Sequence, residues 1–157
     1  MHTDFDKYAV KGNEFLTKLA TNIGDENNLD FAFRILRSTL RVLRKYLTKE
    51  ESMQLLAQLP IALKGIYVDG WKLHIKHSRI KTLEEFANDI IKEDGNAAWK
   101  DFSNVEEVMQ NIKAVVITLA AYVSPNEMEE AFGTMPKEIK KVFNTWIPSS
   151  MKLDLKQ

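Results

Sequence analysis

Apolar residues recur at three- and four-residue spacings along most of the chain, the period of a helix with one face turned inward. Ile35, Leu36, Leu40, Leu43, Tyr46 and Leu47 define such a face. Arg34, Arg37, Arg41 and Arg44 fall within about 80° of one another on the opposite side, at about 100° per residue, and Lys45 extends their stripe. No segment carries the period-2 alternation of β-branched residues that a half-buried strand needs, residues 73–76 being the one short candidate. The pattern predicts helices over 4–21, 29–47, 49–58, 60–68, 83–94, 104–123, 125–133 and 136–146. The expected fold class is all-α, a multi-helical bundle. Residues 114–123 have almost no polar side, so that helix should be buried nearly all round, covered by the rest of the chain or by another subunit. The run is about half the roughly 20 residues that cross a bilayer, which argues against a membrane span.

Helix punctuation divides the chain into two matching parts. Setting residue n against n + 76 pairs Leu43 with Leu119, Tyr46 with Tyr122, Glu51 with Glu127, Pro60 with Pro136 and Lys64 with Lys140. One residue then drops out, and Trp71 meets Trp146. Thr48 with Glu51 and Ser124 with Glu127 have capping-box spacing, in which the hydroxyl accepts from a free amide of the first turn and the glutamate reaches back. Thr82 with Glu85 and Ser103 with Glu106 repeat it, while Thr3 with Asp6 and residues 28–30 serve the earlier helices. Pro60 and Pro136 open the last helix of each part, and Gly24, Gly70 and Gly95 stand where helices should end. The expected organisation is one compact domain over 1–157. It holds two pseudo-symmetric repeats of about four helices each, about 4–71 and 82–146, with a frayed tail over 147–157.

Asp4-Phe5, Tyr8, Gly12-Asn13 and Phe15-Leu16, then Arg34, Leu36-Arg37, Leu40, Leu47-Thr48 and Glu50-Glu51, form a recognisable string. It runs on through Leu59-Pro60, Leu63, Gly65, Tyr67 and Asp69-Gly70-Trp71 to Thr82, Glu84-Glu85-Phe86 and Val123-Ser124-Pro125. In these positions the chain resembles a bacterial family known as domain of unknown function 2267. The resemblance covers about 4–146, and its most specific part is Leu-Pro followed by Gly-x-Tyr-x-Asp-Gly-Trp. It implies a helical, duplicated fold and no particular activity.

Composition supports this picture: of 157 residues, 45% are hydrophobic and 28% charged, with six Gly and four Pro, a globular profile rich in helix formers. The absence of cysteine excludes disulfides, thiolate metal sites and a catalytic thiol, and fits a reducing compartment. Residues 1–6 lack the basic and apolar regions of a signal peptide, so a cytoplasmic protein is expected. Net charge is zero, but residues 1–82 carry 14 Lys and Arg against 9 acids and residues 83–157 carry 8 against 13. Opposite charge on the halves suits attraction within one molecule, head-to-tail self-association, or separate partners.

The candidate binding residues follow from that asymmetry. Arg34, Arg37, Arg41, Arg44 and Lys45 have no acid interleaved on their face, so the stripe is either solvated or turned to an acidic partner, the second half included. Lys72, Lys76, His77 and Arg79 make the joining segment basic as well, the second element of a possible anion or nucleic-acid surface. In the second half Arg41 and Arg44 align with Ile117 and Ala120, so the matching face is apolar. His74 and His77 lack a third ligand and stand among cations, which opposes a metal site; no metal or other cofactor is expected. Glu50-Glu51, Glu84-Glu85 and Glu106-Glu107 sit in first turns, where the helix dipole favours them, rather than in a catalytic pattern. Trp71 and Trp146 read as plugs closing each repeat, and the stretch 95–102 with Trp99 departs from the repeat as a lid or partner surface. The expected function is non-catalytic: a helical binding or scaffold protein acting on an unidentified protein partner or on itself. Weak nucleic-acid binding through the basic surface is the alternative, and an enzyme would need buried carboxylates converging in a pocket.

Overall fold

The computed structural model describes residues 3–73, 82–133 and 135–147, and among them every regular element is helical. In chain order these are α1 (Asp4–Ile23), α2 (Leu29–Tyr46), α3 (Lys49–Gln58), α4 (Ile61–Val68) and α5 (Leu83–Asp94). A 3-10 turn (Gly95–Ala97) leads into the short α6 (Ala98–Asp101), followed by α7 (Val105–Ala120), α8 (Pro125–Ala131) and α9 (Lys137–Trp146). Of the strand candidate over 73–76, only Leu73 lies within the described residues, and it sits in a turn.

Local chemistry accounts for most boundaries. Thr3 and Thr48 form complete capping boxes with Asp6 and Glu51, each side chain serving the other's backbone amide. Asn28, Thr82 and Ser124 cap α2, α5 and α8 by accepting from the third amide of each helix. At the start of α7 the cap is Asn104, not Ser103: the Asn104 side chain accepts from the Glu107 amide, while Glu107 reaches back to the Ser103 amide. Helix α1 stops at Gly24, whose φ of 95° lies in the left-handed region and lets its amide turn back onto Ala20 and Thr21 carbonyls. Helix α7 stops at Ala120, three residues earlier than its apolar run predicts, because the Ala121 and Tyr122 amides tighten onto carbonyls three residues back.

One contiguous core runs from Phe15 to Phe143. Helices α2 and α7 touch each other at its centre; α2 also packs on α1, α4 and α5, and α7 on α1, α5 and α9. The apolar run of α7 is therefore covered within the chain. Helix α3 lies on α8. Aromatic contacts tie the layers together: Phe15 meets Tyr122 at 5.0 Å between ring centroids, Phe86 meets Tyr46 at 6.1 Å, and Phe143 bridges Phe86, Phe132 and Trp146. Trp71 stands edge-on to Tyr67, and Trp146 stacks on Phe143; both are half-buried at the rim of the core. Among the described residues, no helix is long and apolar enough to cross a membrane.

Candidate functional site

The arginine face of α2 is partly covered by the rest of the chain. All four arginines are half-buried, because the C-terminal end of α5, the α6 insert and the end of α4 close over them. Arg34 makes a forked pair with Asp101 of α6, Nε donating to Oδ2 and Nη2 to Oδ1, both at 2.8 Å. Its guanidinium also lies over the Phe31 ring, 5.9 Å from the centroid. Arg37 covers Phe33 in the same way, at 5.7 Å. Arg41 reaches Glu93 at 3.7 Å and Asp69 at 3.8 Å, and Lys45 reaches Glu93 at 3.4 Å. Arg44 donates from Nη1 to the carbonyls of Tyr67 and Asp69, at 2.9 and 2.6 Å, supplying donors for the end of α4. Lys72 is exposed, and Lys76, His77 and Arg79 lie outside the described residues.

The acids that meet this stripe come from the second half of the chain, apart from Asp69. Two of them form a cluster of unusual chemistry. Asp94, the last residue of α5, and Asp101 are each only 6% exposed. Asp94 and Asp101 lie within hydrogen-bonding reach of each other, yet neither Asp94 oxygen has a donor when both acids are ionised. Burial, reinforced by the neighbouring Asp101, pushes the Asp94 carboxyl up to about 7. Burial would push Asp101 up as well, but the hydrogen bonds from Arg34 and Asp94 outweigh it and hold Asp101 below the usual carboxylate range. The same bond raises Arg34. Below about neutral pH the pair favours holding one proton on Asp94, from which its hydroxyl can donate to the ionised Asp101.

Neither aspartate stands out in a search for catalytic spacing. The available signal is position: a carboxylate in the last turn of a helix opposes the helix dipole, and Glu93-Asp94 occupies that place just before Gly95. The other signal is the extra length between Gly95 and Asn104. Among the described residues no group of three or more His, Cys, Asp or Glu is placed to hold a metal ion.

Fold and cluster together define an all-helical bundle whose basic central helix is clamped by acids from a distant part of its own chain. The family model for uncharacterized conserved proteins designated DUF2267 matches residues 12–142, and the chain belongs to that family. No curated protein matches the chain.

Proposed function

We propose that this is a non-catalytic, cytoplasmic helical module acting through protein–protein contacts, built as a single domain from two related units over 4–71 and 82–146. The observation that carries the binding role is Trp99, 82% exposed on the 95–102 insert. The Arg34–Asp101 fork fixes that insert to α2, so the indole is displayed from an anchored segment. A large aromatic held in place at the surface loses little freedom on binding, the property of an interface anchor.

Exchange of contacts supports the two-unit reading. If α1 corresponds to α5, α2 to α7 and α3 to α8, then α1 on α7 matches α5 on α2, and α3 on α8 matches itself. The pairs Phe15–Tyr122 and Phe86–Tyr46 match likewise. In the first helices the correspondence shifts to n + 71, which sets Gly24 against Gly95 and Ile23 against Asp94. Five extra residues between Gly95 and Asn104 then make the insert a feature of the second unit alone.

The nucleic-acid reading has less support, because Arg34, Arg41, Arg44 and Lys45 are engaged within the chain. A salt-dependent gel shift tests it directly. The enzyme reading has its converging carboxylates in Asp94 and Asp101, but the Asp94 oxygens are sealed from solvent. For the protein-contact reading, a photo-crosslinking residue in place of Trp99 is irradiated in native cells. Discrete adducts at 99, absent when the crosslinker stands at exposed Glu50, are the expected result; no adduct at 99, or the same pattern from both positions, refutes it.

A further inference from the structure

We propose that Asp94, Asp101 and Arg34 form a pH-sensitive latch: one proton held between the two carboxylates keeps the 95–102 insert on α2, and its loss to water frees the insert. The inference rests on the geometry of the cluster and bears on the proposed function, because the closed latch is the state that displays Trp99 from an anchored segment.

Arg34 turns Nε and one hydrogen of Nη2 to Asp101, and neither Asp94 oxygen accepts a hydrogen bond from it. When the Asp94 O–H bond breaks, two neighbouring carboxylates are both charged at largely buried positions, where their repulsion is screened less than at the surface. The groups around Asp94 are few. Helix α2 contributes Arg34 and Arg37, with Asp30 acting on Arg34, and α6 contributes Asp101 with Lys100 beside it. The first turn of α7 carries exposed Glu106 and Glu107, of which Glu107 accepts from the Ser103 amide. Among the described residues Arg37 also acts on Asp94, and it is spread over the Phe33 ring.

Relief of the repulsion falls on the insert rather than on α5. Asp94 is fixed at the end of a three-turn helix packed on α2 and α7. Asp101 ends a helix of four residues, entered through Gly95 at a φ of 63° and left through exposed Ser103 and Asn104. Movement of that segment carries Trp99 with it and uncovers Phe102, whose ring packs 6.5 Å from Phe31. Under the proposed two-unit correspondence Ile23 stands opposite Asp94, and no insert follows it. The carboxyl is pushed up to about 7, which brings the release into the near-neutral range.

The test is amide hydrogen exchange over residues 97–102 in the full chain, corrected for the intrinsic pH dependence of exchange. The opening constant should rise about tenfold per pH unit from pH 5 towards 7 and level off above it, since closed and open forms differ by one proton in that range. Asp94→Asn keeps a donor towards Asp101 at every pH, so its opening constant should stay flat and near the wild-type value at pH 5. A flat wild-type profile, or a variant that follows the wild-type slope, overturns the latch. Should Asp94→Asn fail to fold, the carboxyl carbon shift of Asp94 in the wild-type chain decides. A midpoint near 7 upholds the latch, and one in the ordinary aspartate range overturns it.

Discussion

Arg34 and Asp101, 67 residues apart in sequence, meet in a two-bond fork with both distances at 2.8 Å. The carboxylate is almost fully enclosed, and the guanidinium lies on Phe31, which packs against Phe102 next to Asp101. Polar and aromatic contacts thus join the same two segments. Arg34→Ala leaves a buried carboxylate without its cation and its two forked donors and should cost about 3 to 5 kcal/mol in urea unfolding. Arg34→Lys, which cannot make the fork, should fall between that variant and wild type. A loss below about 1 kcal/mol for Arg34→Ala would place the pair with ordinary surface bridges and show that it does not clamp the insert.

Asp94 and Asp101 pull the pH dependence of global stability in opposite directions. Asp94 is raised to about 7 from an ordinary aspartate value in the unfolded chain, so the folded state holds a proton that the unfolded state has released. Stability should therefore fall as pH rises from about 4 to about 7 and change little from this group above that. Asp101 is depressed, so its contribution is present above about 4 and is lost as pH falls through its folded value. Unfolding midpoints from pH 3 to 8 should show the decline between 4 and 7 in wild type, and Asp94→Asn should remove it. If the two proteins keep parallel profiles across that window, Asp94 is not the group responsible.

Two isosteric threonine replacements should have opposite signs. Thr39 on α2 is 2% exposed, and its hydroxyl oxygen has no protein partner. Its counterpart in the proposed second unit is Val115, also buried. Thr39→Val removes an enclosed, unpaired polar atom and should raise stability by about 1 kcal/mol. Thr118 differs: its hydroxyl donates to the Ala114 carbonyl and accepts from Asn22 Nδ2, at 2.7 and 2.8 Å. Thr118→Val should cost about 1 to 2 kcal/mol, because the Asn22 donor loses its acceptor between α1 and α7. Chemical denaturation of both variants reads the two signs directly, and equal shifts would mean that the partners of Thr39 and Thr118 do not decide the outcome.

The features legible in the sequence are those set within a turn or two of chain. Thr3 and Thr48 announce their helices through residues three positions on, Gly24 and Gly95 mark ends, and the prolines at 60, 125 and 136 mark starts. Ser103 has capping spacing too, but Asn104 takes the cap because its extended backbone aims its own side chain at the Glu107 amide. The arginine stripe on α2 was equally visible, whereas its partners were not. Asp101, Glu93 and Asp69 lie about 25 to 70 residues further on, and only the packing of α2 against α4, α5 and the insert brings them in. Residues 95–102 depart visibly from the proposed repeat. That Asp94 and Asp101 become buried neighbours depends on the path of the insert, which no local spacing encodes.

Gly12 on α1 tests the closeness of another contact. A Cβ built there would stand 2.8 Å from the Ala62 Cβ on α4, nearer than real Cβ atoms approach, and both are fixed to helical backbone. Alanine at a helix interior gains up to about 1 kcal/mol over glycine, but separating two packed helices costs about 1 to 3 kcal/mol. Gly12→Ala should therefore be net destabilising despite its better helix propensity. Ala62→Gly alone should cost about 1 kcal/mol through propensity. Together the two exchange one methyl across the crossing, so the double variant should lie near wild type and well above the sum of the single effects. Urea midpoints for all four proteins close the cycle. Additive shifts, or a Gly12→Ala chain more stable than wild type, would show that α1 and α4 do not meet at the glycine as closely as 2.8 Å implies.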